Sequence, residues 1–389
     1  VTETTSTPAR PDSVTTARSA FATALAQEPG VHDPVVVAAL ARVPRHQLVP
    51  RLFVPLGEDR PARRWRLLDL ADEPEQHLEA CYGMDQVVVQ LDGRPTGPLA
   101  AGREYRGVPS GQSSGAGLLA VSLQGLRLAP GERFVELGAC TGYLSAAAAD
   151  LTGRQTTGVE IDRELARDAA QRLAALGADV RIVARDGLRG VPDGEWDAIA
   201  ASFAVRHIPA AWLQRLAPGG RLRTTVTTGA PGWHATALVR RDENGVLSGR
   251  LTAERWGHVP DRAAGWIPLP QAPADSGRSR TSVLAPPEPA ERGYWVALGH
   301  VLRGVRRQWG APGFDDEVVL VAPDGSRAAV SQDGSRAVEW GPRSLWLEAE
   351  ELHTRWTGAG RPAEYLLEFT GPVQRVVGGP GLSWQLPMD

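Results

Sequence analysis

The sequence predicts an α/β protein: a doubly wound parallel sheet, with a helical and insertion region before it and a smaller, mostly β module after it. Three observations predict this. Between Glu132 and Thr228 short apolar runs alternate with helical stretches, the spacing of a parallel sheet with right-handed crossovers. A glycine-containing loop, Gly138-Ala139-Cys140-Thr141-Gly142, joins the first run to its helix. Beyond residue 290 the helical period gives way to short strands and turn signals such as Pro323-Asp324-Gly325 and Asp333-Gly334.

The elements follow in order. Residues 1–16 are rich in Ser, Thr and Pro without a hydrophobic signal core, and read as a disordered leader. Residues 17–267 read as the main domain. It begins with a helical segment from Ala17 to Val43, interrupted at Pro29-Gly30 and stopped by Pro44. Residues 51–91 read as an insertion or cap, charged at first and ending in the apolar run of YGMDQVVVQL. Then come strand Phe134–Leu137, helix Leu144–Leu151, strand Thr157–Ile161, and helix Arg163–Leu176 closed by Gly177. Strands Val180–Ala184 and Trp196–Ser202, a helix near Ala210–Leu216 and strand Arg221–Thr228 complete the sheet. Thr236–Arg240 and Leu247–Trp256 form a hairpin about Glu243-Asn244-Gly245. Residues 268–289 read as a linker, and 290–389 as an accessory module for substrate recognition or dimerisation.

Composition narrows the function classes. The 389 residues are 42% hydrophobic and 22% charged, with a formal net charge of −3. Such a balance disfavours nucleic acid or an anionic membrane as the partner, since both select basic surfaces. No run reaches the ~18–20 apolar residues of a membrane span. The basic residues other than His are all Arg, which together with 43 Gly and 31 Pro reflects GC-rich coding. Cys81 and Cys140 lie far apart without metal-ligand spacing, so a reduced, cytoplasmic protein without a bound metal is expected.

The loop carries the chemistry. Its glycines let the backbone turn sharply and present N–H groups at a helix N-terminus. A loop of this kind alone is weak, because tight turns use the same residues. Three carboxylates sharpen it. Glu160 ends the next strand, where it can grip both hydroxyls of a ribose, and Asp186-Gly187 ends the third, where an adenine amino group is expected. Glu136 precedes the loop; a carboxylate there suits a cationic amino group and opposes a pyrophosphate. The combination points to S-adenosyl-L-methionine, with S-adenosyl-L-homocysteine as product, and hence to a Rossmann-like class I methyltransferase sheet. Gly138, Ala139, Cys140, Gly142 and Tyr143 of the loop, Ile161 after Glu160, and Ser202 at the end of the fourth strand are expected to complete the cofactor site. Cys140 stands where such loops usually have a middle glycine, which leaves the local backbone shape open.

Several stretches together resemble the protein L-isoaspartyl O-methyltransferase family: VAALARVPRHQLVP (Val37–Pro50), GQSS (Gly111–Ser114), FVELGACTGYLSA, DGLRG (Asp186–Gly190), WDAIAASFAVRHIP (Trp196–Pro209) and LAPGGRL (Leu216–Leu222). The loop is shared by many methyltransferases; the VPR and Ser-loop matches, in order, are the specific part. The resemblance implies a carboxylate acceptor held by Ser114 and Ser113. The chemistry fits that inventory, because a carboxylate is already an anionic nucleophile at neutral pH. It needs alignment and partial desolvation rather than a general base. A surface turn is the alternative for the two serines. Arg206 and His207 are candidates to bind the substrate, or equally solvated loop residues.

HLEACYGMDQVVVQLDG (His77–Gly93) is similar to a stretch in extended homologues associated with ribosomally made, modified peptides such as graspetides and lanthipeptides. That likeness implies an Asp carboxylate in a macrocyclic precursor peptide as acceptor, with aspartimide or isoaspartate as outcome, and places Asp85 at the substrate. General isoaspartyl repair, methylation of a small acid and a non-catalytic cofactor-binding scaffold are the alternatives. Trp295, Trp309, Trp340, Trp346, Trp356 and Trp384 are either a peptide-binding surface or the core of the accessory module. Both monomer and homodimer stay open.

Overall fold

The computed structural model describes residues 11–57, 64–228, 233–258, 277–311 and 314–388. The chain forms two compact units, residues 1–202 with 209–223, and residues 203–208 with 224–389.

The first unit holds the doubly wound sheet. Strand Phe134–Leu137 runs parallel to Thr156–Glu160 on one side (Val135 opposite Thr157) and to Trp196–Val205 on the other (Phe134 opposite Ala198). Val180–Ala184 continues beyond Thr156–Glu160. The chain therefore builds outward from Phe134–Leu137 and then crosses back to its other side. Strand order reverses at that point, and the carboxyl ends of the two diverging strands leave a crevice there. Helix Tyr143–Thr152 follows the first strand, and helix Arg163–Ala175 the second. The latter starts at an N-cap, Asp162, whose carboxylate accepts the Glu164 and Leu165 N–H groups. It buries Leu165, Ala166, Ala169 and Leu173 along one face.

The stretch expected to be an insertion is an antiparallel sheet with its own core. Arg51–Pro55 lies between Arg64–Asp69 and Val87–Leu91, and Pro109–Ser113 pairs with Val87–Leu91 so that Ser113 sits opposite Val87. Phe53, Trp65, Leu67, Val88 and Leu91 pack together inside it. Its charged residues hid this alternation: in Arg64–Asp69 the polar positions face out while Trp65, Leu67 and Leu68 are buried. The N-terminal helix begins at Pro11, so residues 11–16 are helical rather than part of a leader. Proline suits the first turn of a helix, and Asp12 complements the positive helix end. Residues 1–10 lie outside the described residues.

The second unit corrects the expected boundary. The hairpin His234–Arg241 and Leu247–Thr252 does not end the first domain. Leu247–Thr252 pairs with Glu364–Thr370, with Leu251 opposite Tyr365, and Val373–Gly379 and Leu382–Gln385 extend the same sheet. Part of the expected linker is a strand, since Arg278–Arg280 pairs with Ala337–Trp340; residues 259–276 are outside the described residues. A second sheet runs Arg278–Arg280, Ala337–Trp340, Arg327–Ser331, Phe314–Val321, Arg306–Ala311. Helices Arg292–Val301 and Leu345–Gly358 accompany these strands.

Trp295, Trp346, Trp356 and Trp384 are buried and Trp340 is half-buried. The Trp346 indole N–H donates to Ser282 Oγ at 2.8 Å. Four of the six tryptophans thus build the unit's interior; the Trp309 side chain lies outside the described residues. No described helix is long and apolar enough to cross a membrane. Cys81 and Cys140 are both buried and not joined in a disulfide.

Candidate active site

The crevice at the strand reversal is where the sequence-selected carboxylates meet. Glu136, on the first strand, is wholly buried. Its Oε2 accepts from Ser145 Oγ at 2.6 Å and its Oε1 from Ser202 Oγ at 2.7 Å. Ser145 belongs to the helix after the loop and Ser202 to the fourth strand, so one carboxyl ties both walls of the crevice together. No described cation pairs with it. Burial therefore pushes its carboxyl up to about 7, against the opposing pull of the two serine hydroxyls.

The loop follows directly. The Gly138 and Ala139 N–H groups both donate to the Val159 carbonyl, at 2.8 and 2.9 Å, which folds the loop over the second strand. Gly138 and Gly142 have positive φ, 85° and 74°. At Gly142 a Cβ would also come within 2.6 Å of Leu173 Cδ1, so glycine is required on both counts. Cys140 has φ 49°, the left-handed shape a middle glycine would take. The departure from the usual pattern leaves the loop geometry intact, at a cost of about 1–2 kcal/mol for a residue with a Cβ.

Glu160 braces this turn. Its Oε2 accepts from the Cys140 N–H at 2.8 Å and its Oε1 from the Asp162 N–H at 2.9 Å. Each oxygen keeps lone-pair capacity for a ligand hydroxyl. Ile161, next in the chain, is 55% exposed, and Leu188 is 37% exposed beside Asp186-Gly187. Apolar side chains left open at strand ends fit the faces of a purine ring. Leu188 escaped the sequence reading; its signal was an apolar residue directly after Asp-Gly. Asp186 caps a short 3-10 turn by accepting the Leu188 N–H at 2.9 Å and pairs with Arg189. The buried carboxyl, the ribose-type carboxylate and the open apolar pair suit S-adenosylmethionine.

The serines separate into two kinds. Ser113 is buried and its Oγ accepts from Arg45 Nη2 at 3.3 Å. The half-buried Ser114 has no side-chain hydrogen bond among the described residues, so its hydroxyl is the one available to a ligand. Asp85 is exposed, and its segment lies against the Ser loop: the Ala116 N–H donates to the Met84 carbonyl at 3.0 Å.

One expectation needs correction. The Tyr143 side chain does not serve the cofactor: it is 1% exposed, its hydroxyl donates to the Leu40 carbonyl at 2.6 Å, and Arg45 lies over its ring. Arg206 and His207 fall in the second unit.

A hydrogen-bonded line runs from the acceptor sheet to the cofactor turn. Ser110 Oγ donates to Gln90 Oε1 at 2.9 Å, and Gln90 Nε2 to Asp162 Oδ2 at 3.0 Å. Asp162 then meets Glu160 through its own N–H. Gln90 is wholly buried, and a lone glutamine in a valine-rich strand was the sequence signal for it.

Comparison with known proteins settles the lineage. Residues 108–256 match the family described as protein-L-isoaspartate(D-aspartate) O-methyltransferase. Protein-L-isoaspartate O-methyltransferase 1 of Rhodopseudomonas palustris is 31% identical over 229 residues, covering 58% of this chain and 76% of the relative. The Gloeobacter violaceus enzyme of that name is 30% identical over 214 residues, covering 54% and 83%. The chain belongs to the protein-L-isoaspartate O-methyltransferase family.

It is therefore an S-adenosylmethionine-dependent carboxyl O-methyltransferase. Among solved structures, a protein-L-isoaspartate O-methyltransferase from Plasmodium falciparum, in complex with S-adenosyl-L-homocysteine, aligns with 59% of this chain and 91% of its own. Its identity is 16% and its TM-score 0.42. This chain carries the Gly loop and the Ser loop on one unit.

Proposed function

We propose that this methyltransferase acts on the free α-carboxylate of an isoaspartyl residue in a peptide or protein, the reaction that starts isoaspartyl repair. The observation that carries the reading is the Ser loop. Ser114 offers a free hydroxyl beside the exposed Asp85 segment, while its neighbour Ser113 is anchored from below. A bound cofactor supplies an electrophilic sulfonium methyl. Glu136 holds the cofactor's ammonium group, Glu160 its ribose, and Ile161 and Leu188 its base. Ser114 donates a hydrogen bond to one acceptor oxygen and leaves the other to attack in line. A carboxylate needs no proton removed, and no general base is assigned. The methyl ester then loses methanol to the next backbone N–H, closing a succinimide that water opens to Asp or isoaspartate.

A second reading, an Asp in a ribosomally made modified peptide, is favoured by one observation. The second unit's residues 257–389 lie beyond the family match at 108–256, in a part of the chain where a dedicated peptide can be recognised. Transfer of labelled methyl to a synthetic isoaspartyl peptide, its Asp twin and a free small acid separates the readings. Transfer to the isoaspartyl peptide alone supports repair chemistry; transfer to none of them, despite cofactor binding, removes it. Ser114→Ala should lower turnover about 10-fold or more with cofactor affinity nearly intact.

A further inference from the structure

Arg45, the arginine of the VPR stretch, has no role in the site as described above. Its side chain is 0% exposed, yet no described carboxylate pairs with it. Burying a guanidinium without a counter-ion is costly, so its surroundings must return something for it. Three segments meet on this group. Nη1 donates to the Cys81 carbonyl at 3.1 Å, at the end of helix Pro74–Cys81. Nη2 donates to Ser113 Oγ at 3.3 Å and to the Ser114 carbonyl at 3.2 Å. The guanidinium carbon stands 4.9 Å from the centroid of Tyr143, the first residue of the helix that follows the cofactor loop. Nε is buried with no partner.

We infer that Arg45 is a positioning residue for the acceptor: its fork fixes the Ser113-Ser114 loop against the first turn of the cofactor helix, and its unneutralised charge favours an anionic acceptor at that loop. The inference rests on the carboxylate-acceptor reading given above. Two consequences follow from the chemistry of the fork. Bridging the Cys81 carbonyl and the Ser113-Ser114 loop at once requires two N–H-bearing nitrogens held apart in one plane, which lysine lacks. Attracting a carboxylate requires only the charge, which lysine keeps. Alignment and attraction can therefore be separated by substitution.

Arg45→Lys should lower kcat on an isoaspartyl peptide about 10-fold while the peptide KM stays within about threefold, because loop geometry is lost and charge retained. Arg45→Gln should lower kcat similarly and raise the peptide KM about 10-fold as well. For both, the dissociation constant of S-adenosylhomocysteine should stay within about threefold, since the product contacts other residues. Wild-type kinetics in both variants overturn the inference. So does a loss of S-adenosylhomocysteine affinity in step with kcat/KM, which marks a merely structural arginine.

Two further measurements cover a variant that folds poorly or a wild type without peptide activity. In a double-mutant cycle of Arg45→Lys with Ser113→Ala, non-additive losses support the inference and additive ones overturn it. Hydrogen exchange needs no methyl transfer. Acceleration in Arg45→Lys confined to residues 82–86 and 111–116 supports the positioning role; no acceleration there, or acceleration throughout the first unit, overturns it. A wild type that binds cofactor but methylates no peptide removes the acceptor reading and leaves the exchange result to decide the fate of Arg45.

Discussion

Glu136 should couple cofactor affinity to pH. In the folded chain its carboxyl is pushed up to about 7 from an ordinary value of 4.5, because burial outweighs the opposing pull of the two serine hydroxyls. A bound S-adenosylmethionine would place its ammonium group there and favour the ionised form. Binding below neutrality must then expel a proton, so the dissociation constant should rise about 10-fold between pH 7.5 and pH 6. Glu136→Gln should flatten that dependence and weaken binding at pH 7.5 by about 10-fold or more. Calorimetric titration in buffers of different ionisation enthalpy measures both affinity and the proton released. A flat wild-type profile, or a Gln variant with the same slope, would refute the assignment. The same group acts on stability. Its folded value lies above its unfolded one, so the folded state holds the extra proton between pH 4.5 and about 7. Stability of the cofactor-free chain should fall across that window as pH rises, by at most on the order of 3 kcal/mol, and the Gln variant should lack this term.

Other outcomes follow from single contacts. Cys140→Gly should raise stability by about 0.5–1 kcal/mol, since relief of a left-handed residue exceeds the extra unfolded-chain entropy; Cys140→Val should lower it, and thermal melting compares the two. Gln90→Leu leaves Ser110 and Asp162 without their shared partner and should cost about 1–3 kcal/mol, with weaker cofactor binding measured alongside the melt. Arg221 pairs with Glu132 at 2.6 Å and donates to the Leu126 and Arg127 carbonyls, so Arg221→Ala should cost about 3–5 kcal/mol in chemical unfolding followed on the first unit.

The parallel sheet was legible because its strands are buried on both faces and its helices carry a one-sided apolar stripe, so each element declares its period locally. The strand Val87–Leu91 was legible for the same reason. Arg64–Asp69 was not, because arginines at its exposed positions mask a short alternation. The second unit's boundary was hidden more deeply. Leu247–Thr252 finds its partner in Glu364–Thr370, more than a hundred residues onward, and no local pattern encodes which strand a free edge will take.

The candidate site divides along the same line. Glu136, Glu160 and the loop glycines could be chosen from the linear chain, since a ligand-binding turn between strand and helix uses consecutive residues whose backbone demands are local. Arg45 could not. Its motif was visible, but its role depends on Cys81, Ser113, Ser114 and Tyr143 converging on one guanidinium from three segments. The distinction between Ser113 and Ser114 has the same origin. The two are chemically identical in the chain; only packing ties one hydroxyl to a buried cation and leaves the other free to meet a ligand.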